Sequence, residues 1–127
     1  MALDTSKVTL GDFQRYFVKL TGELITWAYS NGFEMTEGEG KRSQMQAQYN
    51  ALHGTGIASS NHIIQLAHDW NIFKDGKWLS GVNDFPDLVA YWKILDPICC
   101  WGGDFKDASG NPKPDTDHFS FRYQGRE

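Results

Sequence analysis

Apolar residues recur at helical spacing from Thr9 to Asn31, with Leu10, Phe13, Phe17, Leu20, Leu24, Trp27 and Ala28 on one stripe. That pattern predicts an amphipathic core helix. Thr9 and Asp12 read as an N-cap and a first-turn acid, and Gly32 as the C-terminal stop. Phe33-Glu34-Met35-Thr36 predicts a short strand, and the stretch from Glu37 to Arg42, with two glycines, a loop. Ser43 then caps a predicted short helix through Tyr49, which Gly54 and Gly56 end; a Gly/Ser loop follows to Ser60. From Ile63 to Phe73 the residues are mostly β in character, and Asp75-Gly76 is a strong two-residue hairpin signal.

Asp84-Phe85-Pro86 opens a second long helix, with proline in its first turn. Its buried face is read as Leu88, Val89, Trp92, Leu95 and Cys99, with Pro97 cutting or kinking it near the end. Trp101 to Phe105 is a turn into a polar loop, and Asp107 to Pro114 is loop by composition. His118-Phe119-Ser120-Phe121 alternates and predicts a final strand. The expected architecture is α+β: a single domain spanning 1–127, with a small antiparallel sheet packed against two longer helices.

A chain of 127 residues, 40% hydrophobic and with five tryptophans, is globular and of one-domain size. Its net charge of -4, with no basic run, argues against a nucleic-acid partner. No apolar run approaches a membrane span, so no membrane insertion is expected. Met1 to Lys7 lacks the basic-then-apolar pattern of a signal peptide, so synthesis in a cytosol is expected. Cys99 and Cys100 are adjacent, which rarely allows a disulfide, and lack the companion thiols of a metal motif. They read as plain buried thiols.

The chemistry concentrates in two places. His62 and Asp69 flank a short apolar run, and His118 follows Asp115 and Asp117 near the C-terminus. Neutral imidazole and ionised carboxylate are the usual nitrogen and oxygen ligands of zinc, and a catalytic site uses three with one position for water. His62, Asp69 and His118 are the candidate ligands, with the zinc site on the sheet. Positions 62 and 69 differ by an odd number, so on one regular strand they would face opposite ways. His62 must then lie in the loop before the strand, or a bulge must intervene. Ordinary sheet and loop polar residues remain an alternative on spacing alone. His68 should face away from Asp69, and Asp117 away from the metal in an extended segment. His53 reads as an exposed helix-end residue and Asp104 as a turn aspartate.

Ser60-x-His62 with Ala67-x-Asp69 resembles the S-x-H-x-x-G-x-A-x-D motif of the D-alanyl-D-alanine carboxypeptidase and L-alanyl-D-glutamate endopeptidase family of zinc peptidases, in the lysostaphin/D-Ala-D-Ala/hedgehog group. Asp115-x-x-His118 resembles its second motif, Gly40-Lys41-Arg42-Ser43 its G-x-R-[ST] segment, and Trp101 to Phe105 a further G-x-D-aromatic element. The order and intervals fit over roughly residues 33 to 121. One departure is Gln65 at the motif glycine, a bulky residue where close backbone packing is expected.

The resemblance implies a phage-type endolysin, a monomer acting on the stem peptide of peptidoglycan after a holin opens the inner membrane. It implies a Zn2+ cofactor, Asp115 as the base, Arg42 holding a substrate carboxylate, and Ser60 contacting the substrate or the loop. Cleavage of the L-Ala–D-Glu bond is expected. D-Ala–D-Ala trimming by a D,D-carboxypeptidase and a non-catalytic metal-containing binding domain are the competing readings.

Overall fold

The first apolar stripe forms helix α1, Leu10–Ser30, in a computed structural model that describes residues 8–38 and 61–127. The short helix from Ser43, the Gly/Ser loop, Arg42, His53 and Ser60 lie outside the described residues. Thr9 caps α1 reciprocally: its hydroxyl accepts from the Asp12 N–H at 3.2 Å, and the Asp12 carboxylate accepts from the Thr9 N–H at 2.9 Å. Phe13, Phe17, Leu20, Leu24 and Ala28 form the buried stripe.

Five strands follow among the described residues: β1 Phe33–Glu37, β2 Ala67–Lys74, β3 Lys77–Leu79, β4 Cys99–Trp101 and β5 His118–Phe121. Helix α2, Pro86–Leu95, precedes β4, and a 3-10 turn, Gly102–Asp104, follows it. The sheet runs β1-β2-β5-β4, with β3 also paired to β2, and every pairing is antiparallel. The fold is therefore α+β, with the helices packed on one face of the sheet. Asp75 and Gly76 take φ of 52° and 76°, the two left-handed residues that a tight β2–β3 hairpin needs.

Three assignments differ from expectation. The β segment begins at Ala67, not Ile63, because residues 61–65 fold into a turn. The Leu66 N–H bonds to the Asn61 carbonyl at 2.9 Å, and the Gln14 side chain ties the Ile64 carbonyl to α1 at 2.9 Å. Cys99 is not on α2 but in β4. Pro97 disfavours the helical conformation for the residue before it, so Asp96 is extended at φ -163° and the helix stops at Leu95. Trp101, expected in a turn, ends that same strand.

Strand alternation divides the sheet into two faces. Phe119 and Phe121 turn toward the helices and meet Trp92, which is fully buried. Phe17 meets the same indole edge-on, and the Trp92 indole N–H donates to the Cys100 carbonyl at 2.8 Å. The carboxylate of Asp96, only 2% exposed, anchors the junction of α1 and α2 by accepting from the Tyr16 hydroxyl at 2.9 Å. Burial, with that bond, pushes the Tyr16 hydroxyl up to about 12.

Tyr16→Phe removes this donor from one carboxylate oxygen, while the Ile98 N–H stays on the other at 3.1 Å. A hydrogen bond to a charged group contributes about 1.5–3 kcal/mol, so urea unfolding should show a loss in that range with the slope of the transition unchanged.

Candidate metal centre

The β2–β5 register places Asp69 directly opposite His118, so the two side chains share the sheet face turned away from the helices. His62 comes from the turn before β2, which resolves the odd spacing between positions 62 and 69. The three residues offer ligand atoms that all lie within 4.8 Å of one another. His62 Nε2 is 3.3 Å and His118 Nδ1 3.5 Å from Asp69 Oδ1. Both separations are long for an N–H···O bond. Zinc bonds of about 2.0–2.1 Å give a tetrahedron with edges of roughly 3.3 Å, which these separations match. Asp69 Oδ1 is also buried without a well-formed hydrogen bond. An orphaned carboxylate oxygen between two imidazole nitrogens suits a cation, and the donor set suits zinc.

The electrostatics agree. Burial alone would raise the Asp69 carboxyl, yet the neighbouring imidazoles of His118 and His62 outweigh it and hold that carboxyl well below the usual range. His62 and His118 are 2% and 5% exposed. Their rings meet edge-on at 5.1 Å.

His118 is oriented by a contact with no sequence signal. Its Nε2 lies 3.0 Å from the main-chain oxygen of Glu127. The contact fixes the ring so that Nδ1 is the nitrogen turned toward Asp69. A tight turn brings Glu127 there: Tyr123 and Arg126 exchange backbone bonds at 2.9 and 2.8 Å, with Gln124 and Gly125 at φ 48° and 79°.

The Asp115–His118 segment is a turn closed by the His118 N–H on the Asp115 carbonyl at 3.2 Å. Four further bonds hold it. The Asp115 N–H donates to the Gly102 carbonyl at 2.8 Å, and the Trp70 N–H to the Asp117 carbonyl at 2.7 Å. The Trp101 indole donates to the Thr116 carbonyl at 2.8 Å, and the Thr116 hydroxyl to the Ser80 carbonyl at 2.8 Å. Gly102 presses so closely that a Cβ there would sit 2.2 Å from the Asp115 oxygen and 2.7 Å from the His118 Cβ.

The turn corrects the expectation for Asp117. Residues 116 and 117 are not extended, so alternation does not carry the Asp117 carboxylate away. It joins Asp69 and Asp115 in a second group of ligand atoms within 4.8 Å. Burial, helped by a hydrogen bond to Asp115 and by the charge of Asp69, pushes the Asp117 carboxyl up to about 7. Asp115 itself is exposed.

Gln65 is also explained differently. It sits at φ 59°, a left-handed position that glycine adopts without cost, and its side chain is exposed. The left-handed φ is the backbone requirement that the motif glycine of the resemblance would meet, and Gln65 adopts it with its side chain exposed. His68 faces the helix side as expected, stacked on Trp70 at 4.3 Å, with Nε2 3.1 Å from the Glu37 carboxylate. Asp104 pairs with Lys93 at 2.5 Å and is in neither group of candidate ligands. Cys99 and Cys100 are buried free thiols, and burial raises both. Arg42 and Ser60 lie outside the described residues, so the structure neither brings them to the site nor removes them from it.

No protein family and no curated protein matches the chain. Among solved structures, the fold is similar to the crystal structure of the Serratia marcescens L-Ala D-Glu endopeptidase ChiX. The TM-score is 0.64 over 95% of this chain and 96% of that chain, at 16% sequence identity. That likeness establishes a shared fold over nearly the full length of both.

Gly102→Ala tests the packing that sets the turn. The added methyl must displace the Asp115 carbonyl and His118 together. Loss of outer support of a metal ligand typically costs about 10–100-fold in affinity, so zinc affinity by chelator competition should fall at least tenfold while far-UV circular dichroism stays native.

Proposed function

We propose that this chain is a zinc-dependent peptidoglycan peptidase that hydrolyses the L-Ala–D-Glu bond of the stem peptide. The observation that carries the reading is the His62–Asp69–His118 cluster: both histidine nitrogens stand from Asp69 Oδ1 at about the edge length of a zinc tetrahedron, and the three ligand atoms lie within 4.8 Å of one another. It stands on a fold similar to that of an L-Ala D-Glu endopeptidase. We further propose the phage endolysin role, with action at the cell wall after holin-mediated release and a monomeric state. Support for these comes from the motif resemblance. No described helix is long and apolar enough to cross a membrane.

Zinc held by His62, Asp69 and His118 would lower the pKa of a bound water to about 7 and polarise the scissile carbonyl. The chain's own residues do the rest. Asp115, exposed at the rim of the cluster, accepts the water proton at its carboxylate and passes it to the leaving amine. The Glu127 main-chain oxygen holds the His118 ring so that Nδ1 faces the cluster. Arg42 pairs with a stem-peptide carboxylate through its planar fork, and Ser60 hydrogen-bonds the substrate.

Purified peptidoglycan digested with and without chelator, read by fragment mass, separates the readings. L-Ala–D-Glu cleavage that chelator abolishes is the expected result. Released D-Ala would identify a D,D-carboxypeptidase, and no cleavage a binding domain. One zinc per chain should be lost in His62→Ala and in His118→Ala. Asp115→Asn should keep its zinc and lose about 10²–10⁴-fold in turnover, the typical contribution of an acid–base group. Asp117 joins the same cluster, so Asp117→Asn is the comparison: a smaller loss than in Asp115→Asn keeps Asp115 as the base, and the reverse order would move the base to Asp117.

Arg42→Lys keeps the charge and loses the fork. Turnover on peptidoglycan should weaken with zinc content unchanged; unaltered kinetics would assign the carboxylate to another residue.

A further inference from the structure

Trp78 is 58% exposed, and nothing in the proposed hydrolysis uses it. Strand register gives its position. It stands opposite Phe73 on β3, and Phe73 lies four residues beyond Asp69 on β2. An even spacing along a strand keeps side chains on one face, and directly paired residues share it. Asp69, Asn71, Phe73 and Trp78 therefore line the face that carries His118. Their neighbours Ile72 and Leu79 turn to the helices and pack in or against the core.

The chemistry changes in order along this face. The two histidines and Asp69 stand at one end. Next comes a neutral hydrogen-bonding pair, the Asn71 amide 3.3 Å from the Thr36 hydroxyl. The far end is aromatic, with Trp78 opposite Phe73; on its other side Phe73 borders a recess of about 240 Å³ at the β1 edge of the sheet, which Tyr29 of α1, Glu34, Met35, Thr36 and Gly76 also line. The recess has no cation among these residues to hold a carboxylate or phosphate. Its carboxylate and hydroxyls, beside aromatic faces, suit a neutral polyhydroxyl ring with one apolar C–H face.

We propose that the Phe73–Trp78 end of this face is a saccharide subsite that takes the N-acetylated hexose bearing the stem peptide. The identity of this occupant rests on the peptidase reading above. The spacing fits the covalent tether. Four strand residues span about 13 Å. From the carbonyl of the first stem residue, that residue and the acyl link to the sugar are two peptide-like units, about 7 Å when extended. The pyranose ring covers the remaining distance. The sugar C–H face packs on the indole and phenyl rings, and Asn71 and Glu34 serve the acetamido and hydroxyl groups.

Two measurements test this. In the first, kcat/KM for L-Ala–D-Glu cleavage is compared between a disaccharide tetrapeptide and the same tetrapeptide without sugar. Stacking on aromatic rings should favour the sugar-linked substrate about tenfold. Trp78→Ala should bring that ratio near one, and so should Phe73→Leu, which keeps apolar bulk but removes the ring. A ratio near one in the unaltered protein, or a ratio that both variants preserve, would overturn the subsite. In the second, tri-N-acetylchitotriose is titrated into the 15N-labelled protein, with the Trp78 indole N–H assigned by its loss in Trp78→Ala. A saturable shift of that signal supports the subsite, and none overturns it. If neither peptide is cut, the peptidase reading fails, and the titration alone decides whether this face binds a saccharide.

Discussion

The pairing of β2 with β5 is the constraint on which the rest of the molecule depends. One register, Asp69 opposite His118 and His68 opposite Phe119, sets two faces at once. Phe119 and Phe121 meet Trp92 and α1 on one side, while His118 and Ser120 look to the other. A slip by one residue would bury an imidazole among the helices and expose two phenylalanines. Core energetics and candidate metal geometry are thus enforced by the same ladder. The fully buried Trp92 makes any other register expensive.

The strands supply only part of the cluster. His62 and the Asp115–Asp117 carboxylates come from turns, where backbone freedom would ordinarily blur side-chain positions. Local hydrogen bonds remove that freedom. Asn61, 1% exposed, donates its side-chain amide to the Phe121 carbonyl at 2.6 Å, fastening the His62 turn to β5. Gly102 and Trp101 brace the Asp115–His118 turn from below, with the Ser80 carbonyl beside it. The result is a rigid arrangement of groups on elements that are not regular secondary structure.

Charge sets the character of the centre. Three carboxylates and two imidazoles converge there. Asp69 stays a good anionic ligand because two histidines face it, while Asp117 is burdened by its own burial and by Asp115. A divalent cation would relieve that crowding of negative charge.

The sequence alone determined much of this. The helical stripe and its Thr9–Asp12 cap, the Asp75-Gly76 hairpin, the Pro86 helix start and the final alternating strand are local signals, carried by residues close together in the chain. The candidate ligand trio was legible too, through spacing and motif resemblance. What lay beyond reach depends on contacts between distant residues. That Asp117 turns inward follows from a turn braced by Gly102, Trp70, Trp101 and Ser80. Pro97 ends the helix before Cys99, but that Cys99 then enters a strand reflects β4 pairing with β5, and that Gln65 is accommodated reflects a left-handed turn tied to α1. The orientation of His118 by Glu127 has no periodicity or motif to announce it, since a main-chain oxygen carries no residue identity. Local patterns fix periodicity and caps; only the packed chain decides which side chains converge, because convergence is set by register and by turns closed across long stretches of sequence.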